Sequence, residues 1–311
     1  MSKRVLISGS VAYDTIMVFD GHFKDHILPD RVHMLNVSFL TPRLTRQFGG
    51  CAANIAYTLR ALGGLPTVLA AVGKDGGDYI ARLKSLDIDT SSILSCDELF
   101  TAQAFITTDL ADNQITAFHP GAMARAHEVA AVLPSAWGIV APNGKDAMLR
   151  HASELTQAGV PWIFDPGQAL PMFSGEELTS LVTGATALAV NDYECQLMIE
   201  KTGRTEADLA ASVQAMIITR GAQGSILLQQ GRREEIAPVP IASAVDPTGC
   251  GDAYRGGLLY ALASDLGWSV AARLGSVMGA IKIEQHGPQN HSIDRDAVAA
   301  RYHRVYGAMP W

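Results

Sequence analysis

The run Asp246-Pro247-Thr248-Gly249-Cys250-Gly251-Asp252, continued by Ala253-Tyr254-Arg255-Gly256-Gly257-Leu258-Leu259, is the most instructive stretch of the chain. Its first two glycines let the backbone turn tightly and bring main-chain N–H groups close to a ligand. The small and apolar residues that follow read as a helix. At a helix N-terminus, those N–H groups and the helix dipole make an anion site. Asp252 is then placed to take a proton from an alcohol, while Gly249, Cys250 and Gly251 hold charge developing on a transferring phosphoryl group. The same residues also suit a plain glycine-rich turn with Asp252 as a helix-start carboxylate, so the surrounding chain has to decide.

Short apolar runs recur ahead of this stretch, at residues 5–8, 67–72, 138–141, 162–164, 187–190 and 216–219. Runs without alternation mark strands buried on both faces. Helical spacing lies between them at 52–62, 78–86, 146–158, 193–201 and 206–215. Strand alternating with helix predicts an α/β fold with a parallel sheet covered on both sides. Two regions break this rhythm. Residues from about 16 to 48 and from about 101 to 118 read as hairpin material, with 102–107 and 114–118 flanking the turn Asp109-Leu110-Ala111-Asp112-Asn113. Joined into one small β-sheet they make a lid that excludes water from a site; a pair of ordinary surface hairpins has the same pattern.

Three further pieces lie in order along the chain. Gly49-Gly50-Cys51-Ala52-Ala53-Asn54 puts two glycines before a helix and an amide in its first turn, suited to a polyol's hydroxyls. Asn191-Asp192-Tyr193-Glu194 follows a buried strand, and Asn191 and Glu194, three apart at a helix start, project to one side where they suit the water shell of Mg²⁺. Thr219-Arg220-Gly221-Ala222-Gln223-Gly224 is a strand-to-strand turn suited to nucleotide contact through Thr219, Gly221 and Gly224. Each piece taken singly also reads as an ordinary turn or helix cap.

Taken together, GGxxxN at 49–54, NxxE at 191–194, the 219–224 turn and D-x-T-G-x-G-D at 246–252 resemble, in identity and order, the ribokinase-like (PfkB) family of carbohydrate and nucleoside kinases. The resemblance covers essentially the whole chain, 1–311, as one domain. It implies a doubly wound, mostly parallel sheet with a small β-sheet lid, ATP with Mg²⁺, and in-line transfer of the γ-phosphoryl group to a primary alcohol. By matching position it makes Asp252 the catalytic base, residues 249–251 the anion hole, and Asn191 and Glu194 the Mg²⁺ and phosphate contacts. Asp14, after the first strand, matches the family's substrate-gripping carboxylate and completes a sugar site with Gly49, Gly50 and Asn54. The segment Gln285-His286-Gly287-Pro288-Gln289-Asn290 lies where the family closes its adenine pocket, which puts Gly287 and Asn290 beside the nucleotide. There Asp246 and Thr248 would share a monovalent cation, expected to be K⁺.

Some positions depart from the family pattern. Pro247 and Cys250 replace commoner residues, but Cys250 still offers its backbone N–H. Phe164-Asp165-Pro166-Gly167-Gln168 stands where many sugar kinases carry Asp-x-Asn-x-Arg, and losing that Arg argues against a phosphorylated sugar. Arg255 reads equally as its replacement or as a structural ion-pair partner, and Gln168 has no assigned role. Asp25-His26-Ile27-Leu28-Pro29 and residues 114–123 resemble the lid segments of nucleoside and adenosine kinases, where Phe118 would stack on a purine and His26 would bond its edge. The expected acceptor is therefore the ribose 5′-hydroxyl of adenosine or of purine nucleosides broadly. A ribokinase- or fructokinase-type sugar kinase is the alternative, and a non-catalytic nucleoside sensor is the rival of another class.

Composition narrows the field further. Of 311 residues, 48% are hydrophobic and 18% charged, which suits a large core and not a disordered chain. A net charge of −7 without a Lys/Arg-rich run gives no footprint for nucleic acid. The four cysteines form no CxxC pair, and no apolar stretch approaches a membrane span or a signal peptide; a reducing, cytoplasmic setting is expected. No GxGxxG follows the first strand and no GxxxxGK[ST] occurs, which excludes the dinucleotide and P-loop fingerprints. Monomer and homodimer are both open.

Overall fold

The structure, a computed structural model, describes residues 4–27, 37–111 and 113–311. Leu28 and Pro29 of the first expected lid segment, and Asp112 of the expected turn, lie outside the described residues. In chain order the elements are β1 (Arg4–Ser8), β2 (Ala12–Val18), β3 (Arg43–Gly49), α1 (Cys51–Ala61), β4 (Leu65–Gly73), α2 (Gly77–Ser85) and β5 (Ile93–Cys96). Then come β6 (Ala102–Thr108), β7 (Gln114–His119), β8 (Trp137–Val140), α3 (Lys145–Gln157), β9 (Trp162–Phe164), α4 (Gly175–Gly184) and β10 (Ala187–Asn191). The remainder is α5 (Asp192–Thr202), α6 (Glu206–Ala211), β11 (Ala215–Thr219), β12 (Ser225–Gln229), β13 (Arg232–Ile236), α7 (Cys250–Ala263), α8 (Trp268–Ile283) and α9 (Arg295–Tyr306).

Among the described residues, nine strands form one sheet in the order β13-β12-β11-β10-β9-β8-β1-β4-β5. All neighbours are parallel from β11 to β5, and β12 and β13 add an antiparallel edge. Successive residues of each central strand enter different cores. Val5, Ile7, Ile139, Ile163, Ala189 and Ile217 pack with α1, α2, α7, α8 and α9 on one face. Leu6, Val140, Trp162, Phe164, Leu188 and Met216 pack with α3, α4, α5 and α6 on the other. Burial on both faces is why these strands read as unbroken apolar runs. The expected doubly wound α/β sheet is present.

The second sheet is small and separate, in the order β3-β2-β6-β7. Its hairpin β6–β7 turns at Asp109, whose carboxylate accepts from the N–H groups of Ala111, Asn113 and Phe23 at 2.9 Å each. The first of its strands begins at Ala12 rather than near residue 16, because β2 pairs with both β3 and β6 from Ala12 onward. The helix expected over 206–215 also needs correction. It stops at Ala211 with Ser212 as its cap, since Ala215 already pairs with Ala187 as the first residue of β11. Gly256 and Gly257 let α7 pass close to its neighbours: a Cβ on them would meet Thr58 Cβ at 2.6 Å and Met278 Cγ at 2.8 Å.

Candidate active site

The carboxyl ends of parallel strands are where an open α/β sheet presents its loops to a ligand. Here Ser10 follows β1, Asp165 follows β9, Asn191 ends β10 and Thr219 ends β11. The N-terminus of α7 is set among them. Gly249 caps that helix with φ +78°, and a Cβ there would stand 2.7 Å from Pro288 Cβ; both observations demand glycine. The first-turn N–H groups of α7, including those of Gly251 and Asp252, have no partner inside the helix. A Cβ on Gly251 would meet nothing within 4 Å, so open space adjoins them.

Asp252 is half-buried at this point, and its carboxylate accepts from Asn54 Nδ2 at 2.8 Å. Burial pushes its pKa up to about 6; the charge of Asp165 adds to the rise, while the Asn54 hydrogen bond and Arg255 oppose it. Asn54 has a task beside the one its motif suggests. Its amide nitrogen is engaged by Asp252, and its oxygen accepts from Gln289 Nε2 at 2.9 Å. Gln289 also donates to the hydroxyl of Tyr79 at 2.7 Å, and its own carbonyl accepts from Arg82 at 2.8 Å. Sequence reasoning gave Gln289 and Tyr79 no role; neither has a motif, and both become visible only when α1, α2 and the 285–290 segment are brought together.

On the other side of the first turn of α7 lies a cavity of about 550 Å³. Cys250 and Gly251 form part of its wall, with Thr219, Gly221 and Gly224 from the 219–224 turn as expected. The rest is mostly apolar and was not foreseen: Pro238, Val239, Ile241, Ala280 and Ile283 are among its lining residues. Gly287 and Asn290, expected beside the nucleotide, are not part of this wall. Gly287 gives its N–H to Asp246 Oδ2 at 2.8 Å, and Asn290 turns back onto the carbonyl of His286 at 3.1 Å.

The small sheet brings Asp14 within reach of the charge of Asp246. Asp14, Ala104 and Phe118 are register partners across β2, β6 and β7, so Asp14 and Phe118 share a face. Asp14 lies against β3 so closely that a Cβ on Gly49 would come within 2.3 Å of its carboxylate. Burial, with the nearby charge of Asp246, raises the pKa of Asp14 to about 6. Gly50 joins β3 to α1 as the residue before Cys51. Phe118 is half exposed, and His26 is exposed with its ring edge-on to Phe19 at 5.1 Å.

Asn191 and Glu194 form a reciprocal capping box on α5: Glu194 N–H donates to Asn191 Oδ1 at 2.7 Å, and Asn191 N–H to Glu194 Oε2 at 2.8 Å. Burial, then the neighbouring charge of Asp165, raises the pKa of Glu194, with Arg255 pulling the other way. Arg255 resolves as an ion-pair partner. It makes a bidentate contact to Asp165 at 3.0 and 3.2 Å, both side chains almost fully buried, and its remaining Nη1 has no partner among the described residues. Gln168 reaches Cys51 Sγ at 3.7 Å.

Asp246 ties two loops together. Its carboxylate accepts from the N–H of Thr248 and of Gly287, each at 2.8 Å. Burial raises its pKa, and these hydrogen bonds with the charge of Lys282 outweigh that and hold it below the usual carboxylate range. Lys282, fully buried in the last turn of α8, donates to the carbonyl of Asp246 at 2.7 Å and that of Gln285 at 3.0 Å. No sequence signal pointed to it, because a lysine near a helix C-terminus is commonplace.

A large, mostly parallel sheet, a small separate sheet and an anion-binding helix start beside a carboxylate define a phosphotransferase acting on a hydroxyl group. Residues 6–295 match the model for the pfkB family carbohydrate kinases, and the chain belongs to that family. The nucleoside kinase of Burkholderia thailandensis in complex with inosine aligns with a TM-score of 0.89 at 45% identity, covering 98% of this chain and 99% of that one. The same kinase in complex with ADP-inosine gives 0.86 at 47% identity, covering 98% and 97%. A nucleoside kinase of Methanocaldococcus jannaschii is 30% identical over 280 residues, 87% of this chain and 91% of the relative.

Proposed function

We propose that this protein transfers the γ-phosphoryl group of ATP to the 5′-hydroxyl of a nucleoside, accepting purine nucleosides broadly. One observation carries the reading. The first turn of α7 stands between the apolar cavity of about 550 Å³, walled by Cys250 and Gly251, and the carboxylate of Asp252, held by Asn54. A nucleotide on one side and an alcohol on the other would meet at the open N–H groups of that turn. The inosine and ADP-inosine complexes of the Burkholderia thailandensis kinase support a purine nucleoside as the acceptor.

In this reading Asp252 takes the proton from the 5′-hydroxyl as it attacks, and its raised pKa suits a general base. The first-turn N–H groups and the α7 dipole hold the charge on the transferring group. Asp14 grips the ribose hydroxyls from the lid, and Phe118, on the same face, stacks on the base. The small sheet acts as a lid that keeps water from the reacting oxygen.

Mg²⁺ fits as an ion carried in with the nucleotide. The described residues hold no group of three or more His, Cys, Asp or Glu side chains arranged as a metal cage. Glu194, with only one oxygen committed to its capping box, is the carboxylate best placed to order the ion's water shell. When bound, Mg²⁺ neutralises phosphate charge. A coupled assay of ATP consumption with inosine, adenosine, guanosine, cytidine, ribose, fructose and fructose 6-phosphate tests the assignment. Purine nucleosides should exceed ribose by about tenfold or more in kcat/KM; a clear preference for a free sugar would overturn it.

A further inference from the structure

Lys282 is an expensive residue for its position. A buried ammonium is tolerated only when paired and hydrogen-bonded, yet its hydrogen bonds go to two carbonyls, those of Asp246 and Gln285, and not to a carboxylate. Those carbonyls belong to the two segments that meet under the phosphate site, 246–252 and 284–290. The same junction is held from the other side by the Asp246 carboxylate through Thr248 and Gly287. The N–H groups of Val245 and Asp246 bond the carbonyl of Ile283 at 2.8 and 3.1 Å, so the loop is seated on the end of α8. The ammonium thus lies where the negative end of α8 meets the loop that opens α7. It is favourable for the first helix and adds to the positive field at the start of the second.

This geometry does not fit the K⁺ expected from the sequence. A monovalent cation bridging these loops needs carbonyl oxygens, and two of those oxygens already serve a cation on a side chain. We infer that the Lys282 ammonium is a built-in monovalent cation that positions the 246–252 loop, so that phosphoryl transfer requires no K⁺ or other monovalent ion. Lys282 is a positioning residue: it touches neither substrate and acts through the loop that carries Gly249, Cys250, Gly251 and Asp252.

The inference rests on the kinase reading above, and the test separates the two. Initial rates of the wild-type protein with ATP and inosine are measured in K⁺, Na⁺ and tetramethylammonium chlorides at matched ionic strength. ADP affinity is measured by calorimetry in the same salts, which needs no acceptor. Rates and affinity are expected to agree within about twofold across the salts. Activation by K⁺ of about tenfold or more, in rate or in affinity, would overturn the inference. If no acceptor turns over, the function reading fails, and the ADP titrations alone decide the cation question.

The second arm is Lys282→Met. It is expected to lose about 100-fold in kcat/KM and to recover at least about fivefold in K⁺ or ammonium over tetramethylammonium. A folded Lys282→Met that is equally impaired in every salt makes Lys282 a structural clip only and overturns the inference. If that variant does not fold, the wild-type series decides: flat rates uphold the built-in cation and K⁺ activation removes it.

Discussion

The two sheets are built from similar β-forming residues and put them to opposite uses. In the nine-stranded sheet both faces are covered, and each central strand feeds two cores. In the four-stranded sheet Phe118, on the face it shares with Asp14, is 52% exposed, and Leu44, Phe105 and Ile115 on the other face are 40–62% exposed. Apolar surface left uncovered on a sheet is surface held for contact with something else. Under the proposed function the contrast divides the labour: the large sheet and its helices would supply stability and the chemical groups, and the small sheet recognition. Changes on the body side should therefore strike kcat or stability, and changes on the lid side should strike KM with little effect on folding.

The largest effect expected is on the body side. Asp252→Asn should lower kcat by about 10²–10⁴-fold while inosine binding, followed by calorimetry, is largely kept; full activity would remove Asp252 as base. Arg255→Met leaves Asp165 buried without its partner and should cost about 3–5 kcal/mol in urea unfolding. Adding Asp165→Leu should return much of that loss, because the pair and not the arginine alone is what the core accommodates.

Lid-side effects should be smaller and of another kind. Asp14→Asn should raise the nucleoside KM by about 10–100-fold, the worth of hydrogen bonds to a charged acceptor, with no drop in Tm. Phe118→Ala should raise it by about 2–10-fold. A drop in Tm as large as that of Arg255→Met in either variant would break the division of labour.

The pH dependence sharpens the comparison, since one raised carboxylate lies on each side. Burial pushes the pKa values of both Asp252 and Asp14 up to about 6, and the proposed roles use both as carboxylates. Thus kcat/KM should be flat above about pH 7 and fall below about pH 6 with a slope nearer two than one, returning to one in Asp14→Asn. The stability sign follows from the same shift. Both values lie above those of an unfolded chain, so between about pH 4 and 6 the folded state holds protons that the unfolded state has released. These two groups therefore add stability as pH falls through that window, against carboxylates such as Asp109, Asp246 and Glu284, which hydrogen bonds hold low and which lose stability as they take up protons. Asp252→Asn, free of a desolvated charge, should melt about 1–3 °C higher near neutral pH.

Much of the body was legible in the chain because burial on two faces leaves an unmistakable trace. Residues 5–8, 138–141, 162–164 and 187–190 fall on β1, β8, β9 and β10 with errors of about one residue. The start of α7 was legible too, since an αL cap, an N-terminal anion site and a carboxylate demand particular residue types at fixed spacing. What escaped was pairing between distant elements. Arg255 could not be assigned until Asp165 was beside it, 90 positions away in sequence. That Asn54 also holds the base was not legible, because nothing local shows that Asp252, 198 positions on, accepts from its amide. The walls of the cavity at 238–241 and 280–283 are plain apolar residues, without a spacing that distinguishes a ligand pocket from a core.

The connection between β3 and α1 has a kinetic consequence. β3 ends at Gly49, α1 begins at Cys51, and Asn54 in its first turn holds Asp252. One residue of chain thus separates the small sheet from the helix that holds Asp252, the proposed base. Water, unlike a nucleoside, offers Asp14 no ribose and Phe118 no ring, and so does nothing to settle that sheet. A protein wired this way has a means of keeping ATP from being spent on solvent, and its idle hydrolysis rate without nucleoside should rise when Gly50 is replaced and the two parts lose their common register.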